Sequence, residues 1–362
     1  MAGAVGQWCV VRGNMGNDWP PTASLAVLRL RAALLRTVRE FFDAHGYWEV
    51  DTPLLSADIV VDAWLEPFVC HWLPDPAQWP NGGEPRFLQT SPEFAMKRLL
   101  AAGADAIYQL GKAFRNGETG RRHNPEFTLL EWYRLHDDHF AQMRLVEQLV
   151  RAVFAAAAAF DGPNSARRPR GRLAVHAFTC LTYDEAFARH AGRPVLKATL
   201  SELRQLAAQH RLTPPPGLAD DDRDGWLNWL LAELVEPHLG IDHPTFVWGY
   251  PASQAALAQT SRRPDGVEIA HRFELYIDGV ELCNGYHELL DAEVLRQRIQ
   301  EQAALRAAAG LRPLPATNRL LSAMEAGLPP CCGVALGFDR LLMLAVGARS
   351  IEEVIPFPFS RA

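Results

Sequence analysis

FRNGETGRRHNPEFTLLEWY, residues 114–133, sets a charged loop between two apolar runs. The run over 107–114 and the alternating run over 127–135 predict two strands joined by the polar segment 115–124. Arg115 leaves the first strand at the loop entrance, and Arg121, Arg122 and His123 lie on the loop. A guanidinium placed there can grip a phosphate with two N–H groups and follow its charge into a transition state. Phe127 offers an aromatic face to a purine, and Glu131 and Tyr133 alternate onto one face of the second strand.

GVALGFDRL at 333–341 predicts a Gly-rich strand over 333–336 running into a helix that begins near Phe338 and carries Arg340. Its glycines permit close backbone approach by a flat ligand, and Arg340 can reach a phosphate. In FELYIDGVELCN at 273–284, Asp278-Gly279 is a two-residue hairpin signal. That turn pairs Ile277 with Val280 and Tyr276 with Glu281, and puts Glu274, Tyr276 and Glu281 on one face. Glu274 and Glu281 so placed repel unless a cation lies between them, and oxygen ligands with phosphates suit Mg²⁺. Two solvent-facing carboxylates on an ordinary hairpin would read the same way, so the hairpin alone does not decide. Glu288 follows the break at Asn284-Gly285 and can face the same pocket.

Ahead of these elements, Ser24 can cap a helix over 25–45, with Leu28, Leu34, Leu35, Val38, Phe41 and Phe42 as its apolar stripe and Gly46 as its stop. A strand-like stretch follows at 47–55, and Pro and Gly mark 74–85 as loop. Residues 84–90 read as a strand, Ser91-Pro92 as a turn, and the segment to Gly103 as a helix. Helices are predicted over about 138–160 and 291–309, and a strand over 245–250. Basic and acidic loops fall at 161–172 and 213–225. The strand runs at 84–90, 107–114, 127–135, 273–284 and 333–336 predict an α+β fold, one mostly antiparallel sheet with helices packed on it. Residues 1–23 read as a flexible lead-in and 24–362 as one catalytic domain.

Composition narrows the function classes. Of 362 residues, 48% are hydrophobic and 22% charged, a globular balance. Lys and Arg number 36 against 42 Asp and Glu, and the resulting net charge of −6 disfavours bulk nucleic-acid binding. The chain has no apolar run long enough to span a bilayer and no signal-peptide pattern at its start. Six scattered cysteines suit neither a disulfide framework nor a zinc site, which points to a reducing cytoplasm.

Taken together, the segments resemble the three signature motifs of class II aminoacyl-tRNA synthetases, in the lysyl branch. Motif 1 is matched by the first helix plus EVDTP at 49–53, motif 2 by residues 114–133, and motif 3 by residues 333–341. QTSPEFAMKRLL at 89–100 and ELCNGYHEL at 281–289 resemble the amino-acid pocket of lysyl enzymes. Lysyl-tRNA synthetases carry an anticodon-reading β-barrel ahead of motif 1, and the roughly 24 residues before the first helix are too few for one. The chain therefore resembles the elongation factor P lysine ligase family, which attaches (R)-β-lysine to a protein lysine ε-amine. Ala335 agrees, since lysyl-tRNA synthetases usually hold Gly at that place.

The resemblance implies a set of roles. Arg115 would hold the α-phosphate and Arg340 the γ-phosphate of ATP, and both would act in catalysis. Asn116, Gly117, Asn124, Phe127, Glu281, Leu282 and Gly337 would complete the nucleotide site, with Phe127 stacked on adenine. Glu274 and Glu281 would ligate Mg²⁺. Ser91, Pro92, Glu93, Glu131, Tyr133, Asn284, Glu288 and Ala335 would line the lysine pocket, with Glu288 pairing the substrate's side-chain ammonium. The partners implied are elongation factor P, (R)-β-lysine and a second copy of the chain, with no anticodon recognition and no membrane. One departure touches ATP affinity: the family usually reads Arg-Asn-Glu where this chain reads Arg115-Asn116-Gly117, with Glu118 next. The alternatives are a lysine-activating or tRNA-charging synthetase and a non-catalytic, synthetase-like regulator.

Overall fold

Ser24 caps the first helix as the sequence predicts, its hydroxyl accepting the Val27 N–H at the head of α1 (Leu25–Ala44). The buried stripe of α1 is Leu30, Leu34, Val38, Phe41 and Phe42; Leu28 is only partly covered, and Leu30 takes the buried place. The computed structural model describes residues 19–75, 77, 83–160, 177–316 and 318–362. The basic loop at 161–172, with Arg167, Arg168, Arg170 and Arg172, lies outside the described residues. Thr22, at the end of the lead-in, is tied to the C-terminal segment through the Ile355 and Pro356 carbonyls.

The stretch at 47–55 splits into β1 (Trp48–Glu49) and the first residue of β2 (Leu55–Ser56). Then come β3 (Val69–Trp72), β4 (Glu84–Leu88), α2 (Glu93–Ala101), β5 (Ala106–Phe114), β6 (Glu126–Leu135) and α3 (His139–Ala159). A largely helical segment carries β7 (Thr179–Thr182), α4 (Tyr183–Ala191), α5 (Leu200–Gln209) and α6 (Arg223–Leu230). The chain continues through β8 (Thr245–Pro251), β9 (Thr260–Arg262), β10 (Glu268–Ile277), β11 (Val280–His287), α7 (Ala292–Ala308), α8 (Arg319–Gly327), β12 (Cys331–Gly337) and α9 (Phe338–Val346).

The main sheet runs β1-β5-β6-β12-β11-β10-β8-β7, with β9 on β10. Among the described strands only the β1–β5 and β7–β8 pairings are parallel, so the sheet is mostly antiparallel as predicted. The run at 84–90 does not join it. Its strand β4 pairs with β2 and β3 in a separate three-stranded sheet. No described helix is long and apolar enough to cross a membrane.

One face of the main sheet is closed by α1, α3 and α9 over Tyr108, Leu130, Trp132, Phe273, Leu275, Val334 and Leu336. Among the described residues, the other face is covered only at its ends. Residues of α4–α6 pack around Val247, Tyr250 and Tyr276 at one end, and α2, α7, α8 and the small sheet pack around Ile107 and Tyr133 at the other. The strip of sheet between these two clusters carries polar side chains.

Candidate active site

Cross-strand register builds that strip. Gln109 stands opposite Glu131, Glu131 opposite Ala335, Ala335 opposite Asn284, and Asn284 opposite Glu274. Asp278 and Gly279 turn the β10–β11 hairpin with φ of 52° and 66°, and the pairs Ile277–Val280 and Tyr276–Glu281 form as predicted. Between Tyr276 and Leu275 the register slips by one residue, so Leu282 and Cys283 together oppose Leu275. Both turn into the core. Strict alternation from Glu281 would bury Asn284 and Glu288; the bulge returns Asn284, Tyr286 and Glu288 to the Glu281 face. Leu282 therefore cannot offer its side chain to a nucleotide, and only its main chain remains for that role.

At the nucleotide end, Arg115 lies over the Phe127 ring with 5.1 Å to the centroid. Its Nε is buried without a hydrogen-bond partner among the described residues, and the Glu118 carboxylate stands 3.8 Å from its NH1. Gly117 has φ +82°, a turn conformation that suits glycine, and it brings Glu118 beside Arg115. Asn116 is exposed, with its N–H donated to the Glu66 carbonyl. Arg340 is anchored on β11, donating to the Glu281 carbonyl at 2.9 Å and meeting the Glu281 carboxylate at 3.4 Å. Its NH2 also lies 2.6 Å from His123 Nε2, and burial and the neighbouring guanidinium hold the His123 pKa below the ordinary value. Gly337 leaves ordinary contact distance in front of the Arg340 side chain. The Asn124 side chain donates to the Glu126 carbonyl and accepts the Phe359 N–H, so its main chain is what remains for the predicted nucleotide contact.

The amino-acid end is crowded with charge. Ser91 donates to Glu131 at 2.8 Å and accepts the N–H of Glu93, while Tyr133 donates to Glu131 at 2.7 Å. Pro92, between them, is buried at the N-terminus of α2. Burial and Glu93 push the Glu131 pKa up to about 7. Lys97, one turn along α2, is buried with its Nζ 2.6 Å from Glu93 and 2.5 Å from Glu288. Glu93 and Glu288, predicted to face the ligand directly, are therefore already bridged by an ammonium of the protein. Sequence reasoning missed Lys97, although Glu followed four residues later by Lys on a helix is a readable pair.

Glu274, the first of the predicted metal pair, is held by three protein donors. One oxygen takes Arg272 at 2.5 Å, and the other takes Tyr250 and Tyr276 at 2.6 and 2.5 Å. Both oxygens are thus hydrogen-bonded within the protein, which fixes the carboxylate on the same sheet face as Glu281. Glu281 differs. It is partly exposed, and its pKa is raised by the crowded surroundings and by Glu274. A carboxylate so placed beside two arginines suits Mg²⁺, which takes few protein ligands and completes its shell with phosphate and water.

A family profile described as tRNA synthetases class II (D, K and N) matches residues 19–361. The elongation factor P–(R)-β-lysine ligase of Edwardsiella ictaluri is 46% identical over 348 residues, covering 95% of this chain and 98% of that protein. The ligase of the same name from Klebsiella pneumoniae strain 342 is 44% identical over 347 residues, with the same coverages. The mixed, mostly antiparallel sheet, the arginine pair on one open face and this likeness from end to end agree: the chain belongs to the elongation factor P–(R)-β-lysine ligase family, within the class II tRNA synthetases.

Proposed function

We propose that this chain activates (R)-β-lysine with ATP and transfers it to a lysine ε-amine of elongation factor P. The likeness to ligases of that name over 95% of the chain carries the reading. The site is consistent with it, since a carboxylate-rich pocket for amino groups lies on the same open face as Arg115 and Arg340. The ligand carboxylate attacks the α-phosphorus of ATP and pyrophosphate leaves. The protein amine then attacks the adenylate carbonyl, forming an amide and releasing AMP. Arg115, with its unpartnered Nε, is placed to stabilise charge on the phosphoryl oxygens, and Arg340 to hold the distal phosphates. Mg²⁺, held by Glu281 and Glu274, would neutralise phosphate charge. Phe127, Gly117, Asn116, Gly337 and the main chain of Asn124 and Leu282 complete the nucleotide side of this proposal. Ser91, Pro92, Glu131, Tyr133, Asn284, Glu288 and Ala335 complete the amino-acid side. The rival readings, a tRNA-charging enzyme and a non-catalytic regulator, gain nothing from relatives that carry the ligase name.

Motif 1 is proposed to pair with a second copy of the chain, a reading supported by β1 as a two-residue edge strand and by exposed Trp48, Leu55 and Trp64. The direct test of the reaction is the intact mass of purified elongation factor P after incubation with this protein, ATP and Mg²⁺. A one-lysyl gain is expected, larger with (R)-β-lysine than with α-lysine and absent without ATP. No gain with either amino acid, in a preparation that still forms the adenylate, moves the acceptor elsewhere.

Gly333 supplies a second test. A Cβ there would stand 2.1 Å from the Tyr133 ring and 2.6 Å from Glu288 Oε1. Gly333→Ala is expected to lower stability by about 1–3 kcal/mol through overpacking and to raise KM for β-lysine while leaving KM for ATP near wild type. A melt and an amino-acid affinity both equal to wild type would show that the floor of the pocket lies elsewhere.

A further inference from the structure

Three buried carboxylates, Glu93, Glu131 and Glu288, share the amino-acid end of the sheet with one buried ammonium, Lys97. Arg272 does not enter the count, because Glu274 compensates it at 2.5 Å. Tyr133, Tyr286 and Cys331 face the same space but stay neutral, since burial pushes each of them well above its ordinary pKa. The pocket is therefore two negative charges in excess when all its carboxylates are ionised. Neither oxygen of Glu288 has a hydrogen-bond partner in good geometry. Lys97 lies against Oε2, and Oε1 points over Gly333, where an added Cβ would come within 2.6 Å of it.

We propose that Lys97 is a specificity-determining residue that matches the charge of this pocket to a diamino acid. By neutralising Glu93 it leaves Glu131 and Glu288, one carboxylate for each ammonium of the ligand, and it holds Glu288 with a free oxygen toward the bound molecule. This rests on the proposed reading of a lysine-type substrate and adds to it the residue that sets how many ammonium groups the pocket accepts. Without Lys97 three carboxylates would crowd one buried space, and like charges so close cannot all ionise. The pocket would then hold an extra proton that a ligand has to displace. Burial already pushes Glu131 up to about 7 and Glu288 upward, so the unliganded pocket takes up protons near neutrality.

The test combines β-lysine-dependent ATP–pyrophosphate exchange with calorimetry of β-lysine binding in buffers of different ionisation enthalpy. It compares wild type, Lys97→Met, and Glu93→Gln combined with Lys97→Met. Lys97→Met is expected to weaken β-lysine binding about 100-fold at pH 7, in line with breaking a buried ion pair, and to release one more proton on binding than wild type. KM for ATP should stay near wild type. The double variant removes both partners together and is expected to recover most of the loss. A side chain needed only for packing would leave the double variant as impaired as the single one and the proton count unchanged, and either result overturns the proposal. Wild-type affinity in Lys97→Met overturns it too. Should Lys97→Met not fold, the affinity of the double variant decides alone. Absence of exchange in the wild type would instead remove the proposed reaction, while the calorimetry, which needs no ATP, would still decide the role of Lys97.

Discussion

Arg115→Ala is expected to reduce β-lysine-dependent ATP–pyrophosphate exchange by 10²-fold or more, the order found when a single donor to a developing charge is removed. The structure gives the reason. The Arg115 guanidinium is spread over the Phe127 ring at 5.1 Å, and its nearest carboxylate, Glu118, is 3.8 Å away, too far for a tight ion pair. Its Nε is buried with nothing to donate to. A buried donor without an acceptor costs free energy, and an anionic ligand at this place would supply the acceptor. Arg115→Lys keeps the charge but loses the planar fork, so it should recover only a small part of the loss. Folding should survive in both variants, because the side chain holds no other element in place, and circular dichroism would check this. Exchange at the wild-type rate in Arg115→Ala would remove Arg115 from the reaction.

Much of this site was legible before any coordinates. The Asp278-Gly279 turn told its own register, because a two-residue loop leaves one way to pair Tyr276 with Glu281. The bulge two residues on was not legible, since nothing in Leu282-Cys283 marks which residue a strand will double, and that slip decides which face carries Asn284 and Glu288. The partners of Glu274 were legible only in part: Arg272 and Tyr276 lie two residues away on its own strand, whereas Tyr250 comes from β8. A carboxylate read in one strand cannot reveal a hydroxyl arriving from another. The Asn124 side chain is a similar case, held by the Phe359 N–H more than two hundred residues away in sequence. Lys97 differs from both, because its partner Glu93 lies one helical turn back and could have been paired from spacing alone. The separate sheet of β2, β3 and β4 escaped notice because short strands carry the same pattern in either sheet.

Asp339→Ala should be the most damaging single change outside the ligand site. Asp339 precedes Arg340 at the start of α9 and is 3% exposed at its side chain. One carboxylate oxygen meets Arg31 of α1 at 2.5 Å, and the other accepts the Thr128 N–H of β6 at 2.7 Å. Arg31 also donates to the Thr128 hydroxyl at 2.6 Å, so three elements close on one carboxylate. Alanine leaves the Arg31 guanidinium, 13% exposed, without its counter-charge and the buried Thr128 N–H without an acceptor. Breaking a buried pair in this one-sided way costs about 3–5 kcal/mol, which for a domain of this size lowers Tm by on the order of 5–10 °C. Asp339→Asn keeps an acceptor oxygen for the Thr128 N–H and should lose less, so urea midpoints should rank wild type, Asn, then Ala. The same knot fixes the first turn of α9, where Arg340 reaches across to the Glu281 carbonyl. KM for ATP should therefore rise in Asp339→Ala while KM for β-lysine moves less, because the amino-acid end is built around α2 and the far end of β6, at Glu131 and Tyr133, and not on α9. A midpoint equal to wild type would mean that the pair adds nothing net to stability. Equal rises in both KM values would show that α9 positions the whole sheet face, not the phosphate end alone.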